Sequence, residues 1–435
     1  MRTRKIVAML HDRVSCPAEG GRHGFLANPA NFVKENASRL RSMRHAMMAI
    51  LSFSNIATVS TSLAGFMLVF ICLLCGCSSK FSLQKDRLWH VPYGTESLSQ
   101  GSMFSNKFPI LWEAEFSGKV NAPLVIGADF IAVPTSKDKI RFFNRRDGKY
   151  AGYVRVKGSA QSGFLIEDTI AVTVSSPPRN RLVCRNIHNR DELWNGHVKD
   201  IAGGSITTGN RLVVSSGSGG VTCYDLTAGS VVWTFDTDGL CKAAPMIAGE
   251  TVIQPTDKGI IVGIAMKDGS QQFELSTPSP VESPVVLGDK AYVADISGNI
   301  TAFDPSNGSI VWTNALNEPT WSSPAVDSTH VVVSTRSGKV IALDHSNGEK
   351  LWEYFATDVI KASPAICNGC VVAGTLTGKL FSLNIADGSK IAERQLDGPI
   401  MVAPVYGSGK DAALFVATNA GSLFCFGVSW IADGK

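Results

Sequence analysis

The sequence predicts an all-β protein, an eight-bladed β-propeller with seven blades as the fallback, from three columns of residues that recur about every 40 positions. The first column is a small residue followed by Pro, at Ala122-Pro123, Ala244-Pro245, Ser283-Pro284, Ser323-Pro324, Ser363-Pro364 and Ala403-Pro404. Two copies without Pro keep the spacing near Ser162-Gly163 and Gly203-Gly204. The second column is aromatic and runs through Trp112, Tyr153, Trp194, Trp233, Phe273, Trp312 and Trp352, with Ala392 as its eroded eighth member. The third is a turn residue at Asp138, Asn180, Gly219, Gly259, Gly298, Gly338, Gly378 and Gly421. Four residues after each turn stand Phe142, Cys184, Cys223, Gly263, Ala302, Ala342, Ser382 and Cys425, all small except the first. A period of this length with several short strands per unit is the pattern of propeller blades, which bury their faces against one another.

Within one unit the strands follow in order. The first begins at the small-Pro pair, and a turn such as Asp289-Lys290 or Asn368-Gly369 leads to a second, as in Ala291-Tyr292-Val293 or Val371-Val372-Ala373. A Gly turn leads to a third strand, read as an alternating run such as residues 339–344, and Asp-Gly or Asn-Gly leads to the Trp strand. Gly and Asn supply the positive φ that tight hairpins require. Trp112 precedes the first small-Pro pair, whereas the last unit has no Trp strand of its own. The strand around Leu111-Trp112-Glu113 is therefore expected to complete the last blade and close the ring, which removes exposed sheet edges.

Ahead of the propeller, expected over 109–431, the chain reads as an address. Residues 1–42 carry no fold signal and read as an extension or a start-site artefact, with Met43 and Met47 as alternative starts. Residues 43–76 read as a lipoprotein signal peptide: Arg39, Arg41 and Arg44 precede a charge-free run whose most apolar part is 63–75. That run ends in Leu74-Cys75-Gly76-Cys77, which resembles the bacterial lipobox and makes Cys77 the expected lipidation site. An uncleaved transmembrane anchor is the competing reading, since the run is long enough to span a bilayer. Residues 77–108 then form a polar tether.

Charge and cysteines narrow the function. The formal net charge is +4, but nine of the 41 Lys and Arg and only three of the 37 Asp and Glu lie in residues 1–76. The remainder carries 32 basic against 34 acidic side chains, so it has no basic footprint for nucleic acid. Cys184, Cys223 and Cys425 stand in the small column and read as buried packing residues. Cys367 and Cys370 flank Asn368-Gly369, the favoured two-residue turn; a plain hairpin is the first reading, and a strained cross-hairpin disulfide stays open. Trp112, Trp194, Trp233, Trp312 and Trp352 are expected to pack blade on blade. Lys242, Glu282, Trp321 and Lys361 precede small-Pro pairs near the axis, either as solvated channel residues or as a small-ligand site. His188, His197, His330 and His345 fall in different units, and neither a nucleophile elbow nor a phosphate loop occurs. Residues 179–195, where the columns weaken, are a candidate partner surface, with a decorated solvent loop as the alternative.

The pattern Gly-x-[Ile/Leu/Val]-x-Ala-[Leu/Phe]-Asp-x-x-[Asn/Asp]-Gly-x-x-x-Trp is met in full at 298–312 and 338–352 and nearly so at 219–233. It resembles the pyrroloquinoline-quinone-like propeller repeat. The resemblance covers about 320 residues and is specific for fold rather than function. One class with this repeat, the quinoprotein dehydrogenases, implies a quinone and calcium over the axis, often with a disulfide between adjacent cysteines and an Asp base. No adjacent Cys pair occurs here, and no calcium ligand set can be matched. The other class implies a lipobox, a tether and an eight-bladed propeller without catalytic residues, cofactor or metal. Its members act as a scaffold that contacts the barrel-inserting subunit of the outer-membrane β-barrel assembly machinery. The layout of this chain favours that second class: a periplasm-facing lipoprotein, monomeric within a complex and anchored in the outer membrane. A quinone- or ligand-binding propeller, or an adaptor unrelated to barrel assembly, is the alternative.

Overall fold

The computed structural model describes residues 109–427, apart from 121, 128, 138, 156–158, 167–168, 176–179, 187–188, 190, 198–203 and 408–411. For the strands Ser159–Ile166 and Thr169–Ser175 it describes the backbone alone. Cys77, the signal peptide and the tether lie outside the described residues.

Thirty-two strands pair into eight four-stranded sheets, each antiparallel throughout. Seven are simple meanders, spanning 125–155, 159–197, 204–236, 246–276, 285–315, 325–355 and 365–395; they are blades 1 to 7. Blade 8 takes Val405–Gly407, Ala413–Ala417 and Ser422–Gly427 from the C-terminal end and Ile110–Glu115 from the other end. Trp112 pairs with Cys425 and Glu113 with Phe424, so the closing strand is the one the sequence predicts. One core runs across the closure, with Trp112, Phe415 and Cys425 of blade 8 packed with Leu124, Ile131 and Phe143 of blade 1.

Blade 6 shows how the residues choose their places. Its innermost strand, Ala325–Val326, is short and wholly buried, and innermost strands of neighbouring blades touch around the axis. The next two, His330–Ser334 and Lys339–Asp344, carry continuous apolar runs and are buried along their interiors. Read as alternating in the sequence, the third strand is not half-exposed at all, because a blade is covered on both faces by its neighbours. The outermost strand, Lys350–Phe355, faces solvent and buries only Trp352 fully.

Candidate interaction surface

Each docking aromatic meets two partners. Within its own sheet it lies across from the small column: Trp194 pairs with Cys184, Trp233 with Cys223, Phe273 with Gly263, Trp312 with Ala302 and Trp352 with Ala342. The space is needed, since a Cβ on Gly263 would lie 2.1 Å from the Phe273 ring. Toward the next blade the ring covers the glycine of the hairpin between third and fourth strands. Trp112 covers Gly148, Trp194 Gly229, Trp233 Gly269, Phe273 Gly308, Trp312 Gly348 and Trp352 Gly388, and a Cβ at any of these would fall 2.4–2.8 Å from the ring. Each indole N–H also donates to a carbonyl of that hairpin, at Arg145, Leu226, Met266, His345 and Ile385, over 2.7–3.1 Å. The buried cysteines opposite are poor nucleophiles: burial pushes the Cys184 and Cys425 thiols up to about 12 and Cys223 up to about 11.

Two positions depart from the aromatic column, and both have a structural cause. In blade 1 the site opposite Phe142 is held by Gly152, not by Tyr153, which pairs with Arg141 and sits under the Lys139 ammonium. Large and small residues have exchanged strands there, and the corresponding hairpin of blade 2, after Asn186, has no glycine to receive a ring. In blade 7 the site is Ala392, opposite Ser382. Blade 8 has no third-to-fourth hairpin, because its outer strand arrives from the opposite end of the chain. A Trp at 392 would have nothing to cover.

Cys367 and Cys370 are directly paired across the Asn368-Gly369 turn, whose residues have φ of 49° and 75°. Both side chains are buried beside the turn, and the strands pair as the plain hairpin does. Burial first, and the neighbouring Cys370 second, hold Cys367 far above its ordinary thiol range. Asn368 further ties the turn to blade 8, its side-chain amide donating to the Tyr406 hydroxyl at 3.1 Å.

The residues near the axis form a column of their own. Where the chain crosses from one blade to the next, a carbonyl accepts from the backbone of the following blade's second-to-third turn. The pairs are Lys119 with Ser136, Leu240 with Asp257, Pro280 with Ile296, Pro319 with Arg336, Val359 with Leu376 and Pro399 with Asn419. One residue further along stand Val120, Cys241, Val281, Thr320, Ile360 and Ile400, all buried. The next position holds Asn121, which is outside the described residues, then Lys242, Glu282, Trp321, Lys361 and Met401. Glu282 is nearer its Pro than the others because its crossing is one residue shorter, yet the hydrogen bonds put it in the same register.

This column keeps no common chemistry, unlike the buried one beside it. Lys242 is 64% exposed and pairs with Asp257 at 3.1 Å. Asp257 is held low by the Leu240 backbone N–H before the Lys242 ammonium adds its share. Trp321 keeps 36% of its surface exposed, with the Arg336 guanidinium 4.2 Å above its ring. Glu282 is half-buried, and among the described residues its side chain has no hydrogen bond or ion pair, although its backbone N–H donates to Ala294. Burial raises its pKa, and the Lys361 ammonium from two blades away pulls it back down.

In the candidate stretch 179–195, Arg185 pairs with Glu192 at 2.6 Å, Asn195 donates to the same carboxylate, and Leu193 is 50% exposed. Trp194 belongs to blade packing instead, stacked 6.2 Å from the Tyr224 ring. His188 and most of the preceding turn lie outside the described residues.

A family profile described as "Outer membrane protein assembly factor BamB" matches residues 178–308 and 279–427, together more than half of the chain. The chain belongs to the BamB family. Two curated BamB proteins are similar to it, one from Shewanella oneidensis at 25% identity over 166 residues and one from Yersinia pestis at 26% over 134. Those stretches cover 32% and 29% of this chain, and only 40% and 34% of the relatives' own length. The crystal structure of BamB from Moraxella catarrhalis superposes with a TM-score of 0.62 at 17% identity, over 73% of this chain and 99% of that one. Quinohemoprotein alcohol dehydrogenase from Comamonas testosteroni reaches 0.63 at 11% identity, over 76% and 78%. At such identities both structures speak for the propeller alone.

Proposed function

We propose that this BamB-family chain is a non-catalytic scaffold, anchored by a lipid on Cys77 and facing the periplasm from the outer membrane of a bacterium. It assists the assembly and insertion of β-barrel outer-membrane proteins through protein–protein contacts. The match of the family profile over 178–427 carries this reading, since the relatives it describes are outer-membrane assembly factors. A closed ring with its aromatics committed to blade seams suits such a role, because a rigid body presents its loops without paying for their order on binding. The propeller acts as a monomer within a complex, with the barrel-inserting subunit as its partner.

Affinity capture of the full-length protein from detergent-solubilised envelopes tests the partner: the barrel-inserting subunit is expected among the retained proteins, and its absence sinks the assembly role. Cys77→Ser tests the anchor separately. It should block maturation and release the protein from the membrane fraction, whereas a variant of unchanged mature size on the membrane would exclude lipidation at Cys77.

A further inference from the structure

The axial column assigns a second contact surface. Lys242, Glu282, Trp321, Lys361 and Met401 occupy the same register in five successive blades, so they line an arc along one mouth of the ring. Two of its charged groups, and the Arg336 guanidinium beside it, are in no ion pair among the described residues. Among the described residues Glu282 and Lys361 have no hydrogen-bond or ion-pair partner for their side chains, and the Arg336 guanidinium has only the Trp321 ring. Ion pairs elsewhere on this face show that the geometry permits pairing: Lys242 has found Asp257 and Lys339 has found Glu318 at 2.8 Å. A half-buried carboxylate without a donor is costly to keep, and the Trp321 indole beside it in the arc is 36% exposed.

We propose that this arc binds an extended acidic peptide segment of a partner protein, with Trp321 taking an apolar side chain and Lys361 and Arg336 taking carboxylates on either side. The chemistry points to an anionic, elongated ligand for three reasons. Among the described residues Lys361 and Arg336 are the two cations here that make no ion pair, Lys361 acting on Glu282 only from a distance. Glu282 is half-buried with no donor for its side chain among the described residues, so its oxygens are placed to accept a peptide N–H. The arc alternates Trp321, Lys361 and Met401 over three successive blades, a span longer than a small ion. This inference rests on the reading of the chain as a protein-binding scaffold and names what one of its faces takes.

The test uses the intact protein and a short fluorescein-labelled peptide of alternating glutamate and phenylalanine, read by fluorescence anisotropy. A lysine–phenylalanine peptide of equal length is the control. The acidic peptide should bind, the basic one should not, and added salt should weaken the complex. Lys361→Glu combined with Arg336→Glu should weaken binding by about tenfold or more, and so should Trp321→Ala, while Trp321→Phe keeps most of the affinity. All these residues are on the surface, so an unchanged melting curve verifies that the variants fold. Equal binding of the basic peptide, no binding of the acidic one, or unchanged affinity in the charge-reversal variant overturns the proposal. Capture of the barrel-inserting subunit by that same variant separates the outcomes: retention with lost peptide binding leaves the scaffold reading intact, whatever becomes of this face.

Discussion

Gly348 carries two constraints in one residue. Its φ is +75°, which L side chains rarely adopt, and the Trp312 ring lies where a Cβ would go, at 2.4 Å. Gly369 has the same φ of +75° but nothing within 4 Å of a built Cβ. The two therefore separate backbone strain from seam packing. Gly369→Ala should cost about 1–2 kcal/mol, the left-handed penalty alone, and Gly348→Ala about 2–4 kcal/mol, because overpacking is added. Chemical denaturation of both variants checks this; equal losses would show that the ring over Gly348 yields freely. The Asn-Gly pairs were legible in the sequence as turns, but the demand made on Gly348 by a residue 36 positions earlier was not.

At the scale of the strand, the outer strands repeat one design, in which a single aromatic faces inward and the rest meets solvent. Six of these aromatics sit over a glycine hairpin of the next blade, and the two sites without one have no such glycine to cover. This pairing explains Ala392, which in the sequence is only a decayed repeat. Trp352→Ala, which empties the seam between blades 6 and 7, should cost about 3–5 kcal/mol. Ala392→Trp, although it restores the repeat consensus, should not stabilise and should cost about 1–3 kcal/mol, since the site is buried and has no hairpin to receive a ring. Melting midpoints of the two variants decide the matter, and a gain from Ala392→Trp would refute the docking rule. Tyr153 was misassigned for a related reason: one-residue register within a blade is set by pairing, and the spacing near Gly152 allowed either position.

For the whole molecule, the critical strand is Ile110–Glu115, the only one in blade 8 that is distant in sequence from its sheet. It satisfies the edge of Ser422–Gly427, brings Trp112 onto Gly148, and joins the cores of blades 8 and 1. Deleting residues 109–116 should expose an unpaired edge and a broken seam together. Such a variant should melt several degrees lower or lose a single cooperative transition, and it should self-associate on size-exclusion chromatography. A monomeric variant with an unchanged midpoint would mean that the ring holds without its closing strand.

By itself the sequence determined the repeat, the blade composition and the closing strand, because a local pattern of turns, small residues and aromatics recurs at a period that admits few folds. It also carried the family likeness and the Leu74-Cys75-Gly76-Cys77 stretch on which the proposed anchor rests, neither of which needs coordinates. Only the tertiary structure decided that the third strands are buried on both faces, that Cys367 and Cys370 face each other across a buried hairpin, and that Ala392 has nothing to dock on. It alone brought Lys242, Glu282, Trp321, Lys361 and Met401 into one register despite a crossing of different length. The reason is physical: periodicity reports what each residue meets within its own unit, whereas seams and the axial mouth are made by residues from different units. What those residues meet is fixed when the ring closes.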